Sequence, residues 1–234
     1  MSVETSPSFH SLGLASAVVA ALAAQCKTPT SIQSLAIPAV TSGKDVLALA
    51  QTGSGKTLAF GLPLLSALSQ PENSNRAVVI VPTRELATQV STALNDLAMP
   101  LDIKIATLCG GVGKAEQIET LADKPQIIVA TPGRLKDLLD DDAIDVSEVR
   151  HLVLDEADRL LDMGFLPDIK QILTALPSKR QTLLFSATLP DAVESLVSEI
   201  LFEPVRIRAH AANSVVERIE ERLYLVNKAA KPMS

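Results

Sequence analysis

The run Ala50-Gln51-Thr52-Gly53-Ser54-Gly55-Lys56-Thr57 has the residue types needed to hold a polyphosphate. Glycines let a backbone curl until successive N–H groups face phosphate oxygens, and the lysine adds an ammonium. The Thr57 hydroxyl can ligate Mg²⁺, and a helix starting here turns its positive end toward the anion. Such a loop lacks a carboxylate for the metal and another for the attacking water. Asp155-Glu156-Ala157-Asp158, further along the chain, supplies both. Asp155 can hold Mg²⁺ through water, since that ion keeps much of its hydration. Glu156 can orient and deprotonate the attacking water, whereas spacing alone assigns no role to Asp158. In this order, each after an apolar run, the two motifs describe a nucleotide hydrolase.

These residues need elements to position them. Short apolar runs predict strands at Val46–Leu49, Ala77–Val81, Ile103–Leu108, Gln126–Ala130, Val149–Leu154, Thr182–Ser186 and Val205–Ile207. Helical spacing is found in Leu58–Leu68, Arg84–Leu97, Arg134–Leu139, Ile169–Leu176 and Ala192–Leu201. Continuously apolar strands separated by helices imply an α/β fold whose mostly parallel sheet is covered on both faces. Ligands on such sheets bind at the carboxyl ends of the strands. The phosphate loop, Pro82-Thr83-Arg84, Gly110-Gly111, Thr131–Arg134, Asp155–Asp158 and Ser186-Ala187-Thr188 all follow directly after predicted strands. They therefore converge on one rim.

Composition supports a packed core: 47% of the 234 residues are hydrophobic, although only 3% are aromatic and none is Trp. A formal charge of −6 is the wrong sign for gripping nucleic acid by bulk electrostatics, so any such contact must use local Arg, backbone amides and helix N-termini. Cys26 and Cys109 lack metal-ligand spacing, and the expectation is a reducing, cytoplasmic setting without a structural disulfide. The apolar stretch Leu12–Ala24 has no Lys or Arg before it and is too short to span a bilayer, so it is read as the first helix. The acidic group Asp140-Asp141-Asp142, Asp145 and Glu148 reads as a solvated loop after a helix. Ala209–Ser214 reads as a linker, and the spacing in Val216–Val226 fits either helix or strand.

Taken in order, Ala50–Thr57, Pro82-Thr83-Arg84-Glu85-Leu86-Ala87, Gly110-Gly111, Thr131-Pro132-Gly133-Arg134, Asp155–Asp158 and Ser186-Ala187-Thr188 resemble the first-domain motifs of the DEAD-box RNA helicases. Pro29-Thr30-Ser31-Ile32-Gln33 resembles that family's adenine-recognising motif, and Phe9 occupies the place of its isolated upstream aromatic. The resemblance covers residues 9 to about 226. It implies a RecA-like P-loop domain over residues 1–208, with residues 209–234 as a linker and the start of a second RecA-like domain. It further implies ATP and Mg²⁺ as cofactors and RNA as partner.

On this resemblance Gln33 reads the adenine edge, and Ala50 to Thr57 hold the phosphates. Pro82, Thr83, Arg84, Gly110, Gly111, Thr131, Pro132, Gly133 and Arg134 line the RNA backbone. Ser186 and Thr188 couple hydrolysis to unwinding through the acidic motif. The physical chemistry agrees at two points: Gly110-Gly111 permits close backbone approach, and arginines offer phosphates a fork of donors. Phosphate contacts carry no base identity, so little sequence preference is expected. The family usually has Gly followed by an aromatic ahead of the adenine motif. Here Gln25 and Cys26 stand there, which predicts a weaker adenine stack. The resemblance leads to an ATP hydrolase, expected as a monomer, that is weakly active and unable to unwind RNA by itself. The rival readings are a nucleotide- and RNA-binding clamp without turnover and a DNA-directed helicase.

Overall fold

A computed structural model describes residues 8–22, 28–70 and 76–209. Seven strands form one sheet: β1 (Val46–Leu49), β2 (Arg76–Ile80), β3 (Ile105–Leu108), β4 (Ile127–Ala130), β5 (Val149–Leu154), β6 (Gln181–Ser186) and β7 (Val205–Arg208). Their order is β3-β4-β2-β5-β6-β1-β7, and every pairing is parallel. All seven predicted strands are present, with boundaries shifted by at most two residues.

The helices are α1 (Ser16–Leu22), α2 (Ser31–Thr41), α3 (Lys56–Leu68), α4 (Arg84–Ala98), α5 (Lys114–Ala122), α6 (Pro132–Asp140), α7 (Ala157–Asp162), α8 (Leu166–Ala175) and α9 (Asp191–Ile200). Successive strand residues point to opposite faces, and the core divides accordingly. Val46, Ala48, Val79, Val129 and Phe185 pack with α1 to α4 on one face. Leu47, Val78, Ile80, Ile128, Leu154 and Leu184 pack with α6 to α9 on the other. Two of the few aromatics are used centrally, Phe60 meeting Phe185 edge to face at 5.3 Å.

The N-terminal stretch differs from the single helix expected over Leu12–Ala24. A short 3-10 turn at Phe9–Ser11 comes first, Gly13 turns the chain at φ +81°, and α1 begins only at Ser16. Phe9 and Leu12 are buried in the first core, so their apolar character serves packing ahead of the helix. Residues 23 and 24 lie outside the described residues, as do Gln25 and Cys26. Among the described residues no helix is long and apolar enough to cross a membrane.

Strand order sorts the rim. From one edge inward, the segments after β3, β4 and β2 are Gly110-Gly111, Thr131–Arg134 and Pro82–Arg84. Those after β5, β6 and β1 are Asp155–Asp158, Ser186–Thr188 and the phosphate loop. Parallel register keeps the ends level: Leu108 is opposite Ala130, Ile80 opposite Leu154, and Leu49 opposite Ser186. Neighbouring strands lie about 4.8 Å apart, so the rim has an arginine half and a phosphate-loop half that meet between β2 and β5.

Candidate functional site

The phosphate loop leaves β1 still tied to the sheet, Ala50 N donating to the Ser186 carbonyl at 3.0 Å. Gln51 and Thr52 are exposed. Gly53 and Gly55 have φ of +80° and +94°, which a side chain would resist. At Gly55 space also demands glycine, because a Cβ would stand 2.5 Å from Gln33 Nε2. Gly55 caps α3, so the unpaired N–H groups of that helix's first turn, with Thr57 among them, open onto the loop. Lys56 is only 6% exposed and its Nζ has no hydrogen-bond partner among the described residues; Ser54 Oγ is likewise buried and unpaired. A buried ammonium without a hydrogen bond is costly. A buried ammonium and a buried hydroxyl without hydrogen-bond partners, beside the open N–H groups of a helix start, fit the phosphates of a nucleotide.

Gln33, 2% exposed, joins the start of α2 to this loop. Its Oε1 accepts from Thr30 N at 2.9 Å, reaching back as in a capping box, and its Nε2 donates to the Gly55 carbonyl at 3.1 Å. Both ends of the amide that the resemblance assigns to adenine are thus engaged within the protein.

The acids follow β5. Asp155 is 2% exposed, and its Oδ1 accepts from Glu156 N at 2.9 Å. Burial pushes its pKa up to about 6, against the attraction of Lys56 and the Glu156 N–H. Glu156 caps α7 in the left-handed region, φ +51° and ψ +51°, a conformation disfavoured for Glu. Its carboxylate meets Arg159 at 3.2 Å. Asp158 Oδ2 accepts from Thr188 N at 2.9 Å and from Thr188 Oγ1 at 2.8 Å, while Asp158 N donates to Ser186 Oγ at 3.2 Å. Partial burial pushes the Asp158 pKa up, but the hydrogen bonds from Thr188 and Ser186 outweigh it and hold the group below its ordinary value.

On the other half, Thr83 caps α4, its Oγ1 accepting from Leu86 N at 3.2 Å. The exposed Arg84 donates to the Gly111 carbonyl at 3.4 Å. Arg134 is folded inward: Nη1 and Nη2 both donate to the Val112 carbonyl, at 3.2 and 3.1 Å, and Nε lies 3.7 Å from Asp137. Thr131 N donates to the Leu108 carbonyl at 2.9 Å, and Pro132 opens α6, where its missing N–H is no loss. Gly110 and Gly133 have open space where a Cβ would be. Both arginines therefore reach one exposed turn, and their donors are directed at its carbonyls.

Comparison with known proteins decides the family. The family model described as DEAD/DEAH box helicase matches residues 30–196. This chain belongs to that family. It is 47% identical over 213 residues to "ATP-dependent RNA helicase dbp3" of Aspergillus terreus, covering 88% of this chain and 43% of the relative. It is 43% identical over 223 residues to "DEAD-box ATP-dependent RNA helicase RhpA" of Helicobacter pylori, covering 95% and 45%. The crystal structure of a DEAD box protein from the hyperthermophile Methanococcus jannaschii superposes with a TM-score of 0.81 at 35% identity, covering 87% of this chain and 56% of that one. The RecA-like α/β fold is thereby shared. The chain spans less than half the length of these curated relatives.

Within this DEAD-box domain, two residues acquire a place that the sequence did not assign. Asp158 bridges the segments after β5 and β6, a role invisible in spacing because Ser186 and Thr188 are remote in sequence. Gln117, buried in α5, donates from Nε2 to the Cys109 carbonyl at 2.9 Å. No motif marks it, since α5 carries little apolar periodicity. Cys26 lies outside the described residues, and so do residues 210–234.

Proposed function

We propose that this chain is the nucleotide-binding, amino-terminal RecA-like half of an ATP-dependent RNA helicase. The observation carrying the reading is one rim that holds the buried Lys56, its ammonium without a hydrogen-bond partner, and the buried Asp155 in one half, and the arginine-lined turn at Gly110-Gly111 in the other. The names of the relatives point to the same activity. Ala50 to Thr57 bind the phosphates, Lys56 neutralising the terminal ones. Thr57 and, through water, Asp155 would hold Mg²⁺, whose charge would offset that of the phosphates. Glu156 takes the proton of the attacking water, and its separation from the Arg159 side chain frees the carboxylate for that task. Gln33 exchanges its Gly55 bond for the adenine edge when nucleotide enters.

On the other half, Thr83, Arg84, Gly110, Gly111, Thr131, Pro132, Gly133 and Arg134 bind the RNA backbone without reading bases. Asp158, Ser186 and Thr188, bonded to one another within the phosphate-loop half, couple hydrolysis to unwinding. Residues 1–208 form the domain, and residues 209–234 lead into a second RecA-like domain that supplies the other wall of both sites. The chain acts as a monomer in the cytoplasm. The test is steady-state ATP hydrolysis by this chain and by the longer parent, each with RNA, with DNA and without nucleic acid. Slow turnover by the chain, no duplex separation, and RNA-specific stimulation only in the parent are expected. Absence of nucleotide binding, equal stimulation by DNA, or strong unwinding by residues 1–234 alone would overturn it.

A further inference from the structure

Three side chains from three helices hold three carbonyls of the turn after β3. Gln117 of α5 donates to Cys109 O at 2.9 Å, Arg84 of α4 to Gly111 O at 3.4 Å, and Arg134 of α6 to Val112 O through both terminal nitrogens. The N–H groups of Gly110, Gly111 and Val112 make no hydrogen bond among the described residues. Gly110 and Gly111 are exposed, and Gly111 sits at φ +79°. With the carbonyls drawn toward side chains, a run of free N–H groups is left, the arrangement that makes an anion-binding concavity.

The three clamps are not equivalent. Arg84 and Arg134 are cations, and a phosphate offers them a full opposite charge and a bidentate match that a carbonyl does not. RNA therefore draws both guanidiniums off the turn at the moment the turn must keep its shape. Gln117 is neutral, 4% exposed, and its bond to Cys109 O is fully buried, so a phosphate has nothing to compete for. Its Oε1 is buried without a partner, so the amide is retained here despite an unmet acceptor.

From this we infer that Gln117 is the positioning residue of the RNA site, the one clamp that keeps the Gly110–Val112 amides facing the backbone after the arginines have turned to phosphate. The inference rests on the RNA-binding reading above.

The test is titration of a short single-stranded oligouridylate into this chain at low salt, followed by NMR, with ADP titrated separately. Gln117→Met keeps the length and removes the donor; Gln117→Leu removes the donor and the unmet acceptor with a shorter, branched side chain. Both should weaken RNA binding by about fivefold or more, one neutral hydrogen bond expressed as affinity, with ADP affinity within error of wild type. Equal RNA affinity in either folded variant overturns the inference and leaves the RNA reading standing. No RNA binding by the wild type overturns the RNA reading itself. The wild-type side-chain NH₂ signals of Gln117 give an answer that does not depend on any variant folding. They should stay protected from exchange when RNA is bound while the Arg84 and Arg134 Nε signals shift. Loss of that protection on binding overturns the inference.

Discussion

Thr188 grips Asp158 twice, its backbone N–H at 2.9 Å and its hydroxyl at 2.8 Å converging on the same carboxylate oxygen. This ties the segment after β6 to the start of α7, one strand over from the phosphate loop. The Asp158 pKa is depressed by these bonds despite partial burial. A depressed acid contributes stability above its unfolded pKa and loses it as pH falls through the folded value. Thr188→Val keeps the N–H and deletes only the hydroxyl. The Asp158 midpoint, followed by carboxyl carbon NMR, should then rise toward the ordinary value. An unmoved midpoint would mean that the hydroxyl bond contributes nothing in solution.

Two glycines of the phosphate loop should respond unequally to alanine. Gly53 has φ +80° and open space around a new Cβ, so Gly53→Ala meets backbone strain alone, about 1–2 kcal/mol. Gly55, at φ +94°, adds a Cβ 2.5 Å from Gln33 Nε2. Gly55→Ala should therefore be clearly more destabilising in urea unfolding, and should also break the Gln33 bond to residue 55. Equal losses at the two positions would show that Gln33 does not pack against the loop.

Lys56 offers a prediction in which stability and binding move in opposite directions. Its buried ammonium lacks a hydrogen-bond partner, so Lys56→Met should raise the melting temperature of the ligand-free chain. The same change removes the charge facing the phosphates and should weaken ADP binding by more than tenfold. A lower melting temperature would mean that the ammonium is solvated or paired in solution.

Asp155 should make the ligand-free protein sensitive to pH in a defined window. Burial raises its pKa from 3.8 to about 6. A raised acid stabilises the fold fully below its unfolded pKa, and that stability is lost as pH rises through the folded value. Asp155→Asn removes this loss, so the variant's advantage should be absent near pH 3.5 and grow between about pH 4 and 6, then level off. The upper bound is about 3 kcal/mol, from roughly two pKa units at 1.36 kcal/mol each. A stability difference that does not change with pH would contradict the burial of this carboxyl.

The central strands were legible because they are apolar runs buried on both faces, as in Val78–Ile80 and Leu152–Leu154. Helices that bury few side chains or are very short were not. Lys114–Ala122 buries only Gln117, and Ala157–Asp162 is under two turns long. The motif residues were legible by type and order. The partners their donors choose were not, because a contact such as Arg134 to the Val112 carbonyl depends on how α6 sits over a turn 22 residues away. The single helix read into Leu12–Ala24 failed because continuous apolar character does not distinguish a helix from a buried turn, and Gly13 makes the turn.

Glu156 is the residue on which the hydrolysis reading stands. It occupies the left-handed region where glycine or asparagine would sit more easily, and backbone strain of this kind survives where surrounding structure enforces it. The position itself therefore does not require a carboxylate; Gln fits it with the same shape and the same capacity to accept from Arg159. What Gln cannot do is take a proton from water. In the longer parent, Glu156→Gln should leave ATP affinity within about twofold of wild type, since the side chain is not assigned to the phosphates, while lowering turnover by 10²–10⁴-fold, the usual worth of a general base. Single-turnover hydrolysis with saturating ATP and RNA separates the two effects. Near-normal turnover by Glu156→Gln would remove Glu156 from the chemistry and leave the attacking water without an assigned base.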